Sequence, residues 1–397
     1  MTARITPLVI AVVLWRLFLC IPLYVGQATL SYRHGYEYTN IWGFIQQYIP
    51  VSHILLYPWA NFDGVHYLTI AGNGYTTVNA RFFPLFPIVI HVVSSFFGGG
   101  PPFGRTYFFT AFFLANICFL LSLFFFYKLV RFDYPFATAF WSIIFLLVFP
   151  TSFFFIGIYA ESLFLLLSLL AFYFARKRQW VLASIFGLLL SLTRIVGISI
   201  LPILLYEFFK EEHVLSALRK KDKKEYLELC KKSIALFCIP FGIMGFAVFN
   251  FIRWGNTLYF VHAQGDLGNG RSTSVVVLFP QTIFRYFKIL TTVSVSQYEW
   301  WIALLEIVVF FVVSLLLYIG WKKGIRFSYI LFAILCFLIP VSTGTFSGLP
   351  RYSAVLFPLF ITLALLKSKI VKATYFFISL ILLFLLLLLF SRGYYIS

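Results

Sequence analysis

Residues 82–98 read FFPLFPIVIHVVSSFFG, and the way this stretch lies decides how the rest of the chain threads. A spanning helix needs about 20 mainly apolar residues. This one is short, with two prolines and a histidine, and fits either a cramped span or a helix lying along a membrane surface. Charge separates the two readings. The basic clusters are Lys128/Arg131, Arg176–Lys177–Arg178, the run from Lys210 to Lys232, Lys322/Lys323/Arg326 and Lys367/Lys369/Lys372. All of them fall on one side only if 82–98 does not cross and 180–209 crosses twice as a tight hairpin. Cytoplasmic loops gather Lys and Arg, so that side is cytoplasmic and 82–98 is expected to lie in the outer interface.

The surrounding composition is that of a lipid-embedded chain. Of 397 residues, 61% are hydrophobic, 21% aromatic and only 11% charged. A soluble domain carries roughly 25% charged residues. Secreted, cytosolic and disordered proteins are thereby excluded. Apolar runs long enough for spans lie at 7–30, 107–127, 135–155, 158–175 and 180–209, then at 233–253, 301–320, 326–341, 353–367 and 372–390. The expectation is an all-α polytopic membrane protein, one domain over 1–397, with about eleven crossings. Residues 31–106 form a first external loop, 210–232 a basic cytoplasmic loop and 254–298 a second external loop. The first helix is expected to be an uncleaved anchor, because Arg16 interrupts its apolar run and no cleavage site follows.

The net charge of +18 then reports orientation, with the 210–232 loop resting on anionic headgroups. No basic segment accompanies a recognition fold, so nucleic acid is not an expected partner. The five cysteines are scattered, with no ligand spacing, so neither a disulfide framework nor a metal site is implied. No P-loop, HExxH or Asp-x-Asp pair occurs, which argues against nucleotide-driven chemistry. No cofactor is expected.

Polar residues that are costly near lipid become the informative ones. Asp63, in NFDGVHYLTIAGNGY (61–75), fits a general base or a helix N-cap. Glu161 fits a first-turn acid favoured by the helix dipole or a carboxylate aimed into an external cavity. Arg194, between two apolar runs, and Arg351, after a proline, suit a phosphate bidentately or snorkel to the interface. The glycine-rich stretch 253–274 carries His262, Gln264 and Asp266 and suits a sugar or a headgroup. Six acids from Glu207 to Glu228 read as a solvated face.

At these residues the chain resembles the PIG-V-type mannosyltransferases, which include the enzymes adding the second mannose to GPI anchors, and their prokaryotic relatives. NFDGVHYLTIAGNGY followed by RFFPLFP is similar to that family's "WD-aromatic-IA-GY … FFPLFP" block. In order, PTSFFFIGIYAESLFLLLSLLAFYFARKRQW (150–180), LLLSLTRIVGI (188–198), GNTLYFVHAQ (255–264) and LPRYSAVLFPLF (349–360) also resemble it. One departure is Phe62, where the family often has Trp.

The resemblance implies a GT-C-type bundle and an inverting transfer on the extracytoplasmic face. The sugar, mannose by resemblance, would come from a polyprenyl- or dolichyl-phosphate donor and go to a glycan or glycolipid acceptor. It implies a multi-pass protein of the cell membrane, or of the endoplasmic reticulum membrane in a eukaryote. Asp63 becomes the expected base, and Arg194 and Arg351 become donor-phosphate ligands. Glu161, Tyr159, His66, His262, Gln264 and Tyr352 join them as substrate-binding candidates. Chemically, a lipid-phosphate sugar carries its own leaving group, which cations can stabilise without a general acid. One carboxylate suffices for a single inverting displacement, whereas hydrolases generally use two. The interfacial helix 82–98 would place the prenyl chain beside the site. The competing class is a transporter or flippase of a lipid-linked saccharide. It should show inverted repeats or broken helices in matching halves, and no internal symmetry is visible.

Overall fold

The computed structural model describes residues 2–35, 53–214, 223–265 and 271–396, and every described element is helix, turn or irregular chain. The helices are α1 (Thr2–Thr29), α2 (Asp63–Asn73), α3 (Leu85–Phe96), α4 (Arg105–Val130), α5 (Phe136–Leu147), α6 (Glu161–Arg176), α7 (Trp180–Ser191) and α8 (Ile200–Glu211). They continue as α9 (Lys223–Ile234), α10 (Pro240–Trp254), α11 (Phe279–Thr292), α12 (Tyr298–Lys322), α13 (Phe327–Val341), α14 (Leu349–Ser353), α15 (Pro358–Leu365) and α16 (Lys369–Ser391).

The centre of the bundle is α6, ESLFLLLSLLAFYFAR, buried along nearly its whole length. A helix apolar all round belongs inside a core, and α6 is packed between α4 and α7. At the periphery, α1 and α16 pack on each other. Their outer faces carry exposed Val9, Leu17, Phe377 and Ile381, the surface a lipid would cover.

Five runs among the described residues are long and apolar enough to cross a membrane: Thr6–Thr29, Arg105–Val130, Leu227–Trp254, Tyr298–Lys322 and Lys369–Ser391. The other expected spans are shorter helices joined by tight turns. Within 135–155, α5 stops at Leu147 and residues Ser152–Phe155 form a 3₁₀ turn, because Pro150 disfavours helix in the residue before it. Within 353–367 the helix is confined to Pro358–Leu365. The 180–209 run is broken as expected: α7 and α8 flank a 3₁₀ turn at Ile195–Ser199. Gly197 permits the fold-back, since a Cβ there would lie 2.2 Å from the Leu190 carbonyl oxygen.

Two segments expected as loops are partly helical. The basic 210–232 segment is helix from Lys223 onward, since its Lys, Glu and Leu residues are good helix formers with nothing to interrupt them. The 254–298 segment contains a single turn at Tyr259–His262 and all of α11. The solvated reading also fails at Glu207, which is fully buried and bonded to Arg326 and Ser328. Within 82–98 the helix is α3, 12 residues long. At 1.5 Å per residue it reaches about 18 Å, short of a ~30 Å hydrocarbon core. All five cysteines are free.

Candidate functional site

Asp63 is the first residue of α2, and Phe62 before it has φ +56°, ψ −110°. Left-handed φ in a bulky residue costs on the order of 1–3 kcal/mol and persists where surrounding structure imposes it. Here the imposition is visible. The Trp59 carbonyl accepts from Ile158 N–H at 2.7 Å. Tyr159 Oη donates to the Asn61 carbonyl at 2.7 Å, and Asn61 Nδ2 donates to the Phe390 carbonyl at 3.0 Å. The N-cap reading of Asp63 does not hold, since no side chain caps α2. Its carboxylate instead accepts from Arg351 Nη1 at 2.7 Å.

The Asp63 carboxylate faces a cavity of about 460 Å³ that gathers residues far apart in sequence. From α6 comes Glu161, with its oxygen 3.0 Å from Arg194 Nη1 and 3.2 Å from Arg351 Nε. Glu161 is thus a first-turn acid and a cavity carboxylate at once. Arg194 sits at the break between α7 and the 3₁₀ turn, and Arg351 in the short α14. Neither snorkels, because both are largely buried and ion-paired. Thr151 Oγ1 donates to the Pro350 carbonyl at 2.8 Å, fixing the residue before Arg351.

Tyr352 lies at the middle of the arginines. Its hydroxyl receives Arg271 Nη2 at 3.0 Å and Arg351 Nη2 at 3.4 Å, and Arg194 lies 4.5 Å over its ring. Arg271 is itself held by the Ser347 carbonyl at 2.9 Å and the Gln264 Oε1 at 3.2 Å. Gln264 therefore serves the cavity by placing Arg271. His66 lines the wall with its ring stacked on Phe82 at 4.9 Å.

Burial pushes the Asp63 carboxyl up, but Arg351, His66 and Arg81 together outweigh it and hold it below the usual carboxylate range. Burial, aided by Arg81 and opposed by Asp63, pushes the His66 imidazole down. At neutral pH the carboxyl is therefore ionised against Arg351 and Arg81, while the imidazole is neutral and adds to that hold only once protonated at lower pH. Among the lining residues, four arginines (81, 194, 271 and 351) face two carboxylates, leaving a formal surplus of +2. Such a surplus favours an anionic ligand, and arginine matches phosphate oxygens.

Some expected residues lie elsewhere. Tyr159 is beneath the cavity, not on its wall, and acts through Asn61. His262 is outside the lining and pairs with Asn256 at 3.0 Å. Asp266 lies outside the described residues. Helix α3 reaches the cavity only through the preceding Phe82 and Phe83. The other apolar walls are Ile195 and Val196, Phe260 and Val261, and Ile339 and Pro340. A prenyl chain beside this cavity would therefore meet the α7–α8 turn and the end of α13 as much as the 82–98 stretch. Arg271 and Tyr395 were not among the expected site residues, yet both line the cavity. Among the described residues, no three His, Cys, Asp or Glu side chains converge on a point.

No family model and no curated protein matches the chain. Among solved structures it is similar to the oligosaccharyltransferase of Archaeoglobus fulgidus. Against the apo form the TM-score is 0.46 at 14% identity, over 85% of this chain and 52% of that one. Against the complex with zinc and sulfate it is 0.46 at 13% identity, over 86% and 49%. The chain thus spans about half the length of that enzyme.

Proposed function

We propose that the chain is a membrane glycosyltransferase of the GT-C type. It moves a hexose, mannose on the strength of the PIG-V-type resemblance, from a polyprenyl- or dolichyl-phosphate to a hydroxyl of a lipid-linked or surface glycan. The observation that carries this reading is one cavity that sets the Asp63 carboxylate, its more exposed acid, beside three arginines around Tyr352. Arg351 separates the two functions: its Nη1 edge holds the base, and its Nη2 edge turns to the Tyr352 hydroxyl that Arg271 also bonds.

In this arrangement the donor phosphate binds among Arg194, Arg271 and Arg351. Asp63 takes the proton of the acceptor hydroxyl as that oxygen attacks the anomeric carbon, and the configuration inverts. Developing charge on the departing phosphate is met by preplaced guanidiniums in a largely buried cavity, where electrostatic stabilisation is strong. Incubating the purified protein in lipid with a panel of labelled polyprenyl-phosphate hexoses tests the reading. Transfer or slow hydrolysis of one donor is the expected result. Absence of turnover with every donor, together with movement of a lipid-linked saccharide across vesicles, contradicts it.

A further inference from the structure

We propose that Tyr352 is the proton donor to the departing phosphate, the acid that complements the Asp63 base; this rests on the transferase reading above. A phenol both donates and accepts, whereas a guanidinium only donates. The Tyr352 oxygen is occupied as an acceptor by Arg271 and Arg351. Among the described residues no acceptor receives its own proton, and the side chain lines the cavity. The hydroxyl therefore lies on the cavity wall, within reach of a phosphate bound among the same guanidiniums.

The ring is held in place from several elements. Arg194 covers one face, and Gly348 packs so closely that a Cβ there would lie 2.7 Å from the ring. The charged and titratable groups around it are Arg271 from the segment before α11, Arg194 from the α7–α8 turn and Arg351 from its own helix. Tyr395, from the segment after α16, completes the set, with Asp63 and Glu161 beyond the guanidiniums. Burial pushes the phenol up, and Arg271, Arg351 and Arg194 together bring it below the ordinary tyrosine range. A general acid works best when its pKa approaches the operating pH.

The step balances. The acceptor oxygen bonds to the anomeric carbon and its proton goes to Asp63. The bond from that carbon to the phosphate oxygen breaks, the electron pair stays on the oxygen, and the Tyr352 proton moves to the phosphoryl group. Asp63 is left as the acid and Tyr352 as a phenolate among three guanidiniums. Proton exchange with solvent restores both.

The test compares wild type and Tyr352→Phe in lipid with a polyprenyl-phosphate hexose, together with binding of polyprenyl phosphate alone. In the variant, kcat should fall by about 100-fold or more, the usual scale for acid–base catalysis. Its KM and polyprenyl-phosphate affinity should stay within about threefold, and the alkaline limb of the wild-type kcat profile should disappear. A fully active variant overturns the proposal. So does a slowed variant that keeps the alkaline limb, or one that loses polyprenyl-phosphate binding along with kcat. A wild type that turns over no lipid-phosphate sugar overturns the transferase reading itself. An active wild type with a fully active variant removes only the proton donor.

Discussion

Arg351 joins the two carboxylates of the cavity: its Nη1 donates to Asp63 at 2.7 Å while its Nε lies 3.2 Å from a Glu161 oxygen. This sharing gives the Asp63 carboxyl a pH signature. Arg351 is the strongest of the groups that hold it below the usual range. In Arg351→Gln the carboxyl rises, so the acid limb of kcat/KM moves to higher pH, on top of a lower maximum. The stability linkage has the matching sign. In wild type the pair stabilises the fold above the unfolded carboxyl pKa, and this is lost as pH falls through the depressed one. The pH–rate profile and thermal unfolding against pH measure the two effects.

Glu161 is nearly inaccessible, with its side chain 4% exposed, and is paired with Arg194 at 18%. Removing one partner of a buried pair leaves an uncompensated charge, at about 3–5 kcal/mol. Glu161→Gln should lower the unfolding temperature strongly. The double variant Glu161→Gln/Arg194→Gln should lose clearly less than the sum of its singles. A double-variant cycle in lipid nanodiscs checks the coupling, and additive losses contradict the pairing.

Gly348 has φ +84°, and any Cβ there meets the Tyr352 ring at 2.7 Å. Gly348→Ala should reduce transfer at least tenfold by displacing Tyr352. Its left-handed φ should cost a further ~1–2 kcal/mol, the penalty of that conformation for an L-residue. Gly245, in α10, has no atom within 4 Å of an added Cβ. Gly245→Ala should leave transfer unchanged and stabilise by about 0.5–1 kcal/mol through helix propensity.

Behind the arginine cluster, Tyr286 donates to the buried Glu306 and accepts from the Phe346 N–H at 3.0 Å. Their contact braces the 344–348 turn that leads into Arg351. Tyr286→Phe removes one donor to Glu306, which keeps its bond from the Gly348 N–H, and losing a bond to a buried polar group costs about 1–3 kcal/mol. The variant should raise the donor KM more than it lowers kcat, because the turn that leads into Arg351, a proposed phosphate ligand, loosens. Steady-state kinetics with varied donor separates the two.

Much of this site was legible because charge is scarce in the chain. Asp63, Glu161, Arg194 and Arg351 stand alone in apolar surroundings, and all four converge on the cavity. Arg271 escaped notice for the opposite reason: in a polar, glycine-rich stretch a cation looks solvated, and only Tyr352 and Gln264 give it a place. Tyr395 follows the last apolar run, where nothing in sequence ties it to Phe62, which it meets at 5.6 Å. Helix α11 was missed because hydropathy averages its two faces. Thr282 and Tyr286 are buried while Phe284 and Phe287 point outward, a helical period that a search for uniform apolar runs does not detect. Glu207 reads as solvated in sequence because its partner Arg326 lies 119 residues away.

The central claim is that Asp63 is the base of a sugar transfer, and it is tested most directly by Asp63→Asn with the labelled donor that wild type uses. Asparagine nearly preserves the shape and still accepts from Arg351. The variant should fold and bind polyprenyl phosphate as wild type does, while transfer falls by about 100-fold or more. Full transfer by a folded, donor-binding Asp63→Asn protein would contradict the account.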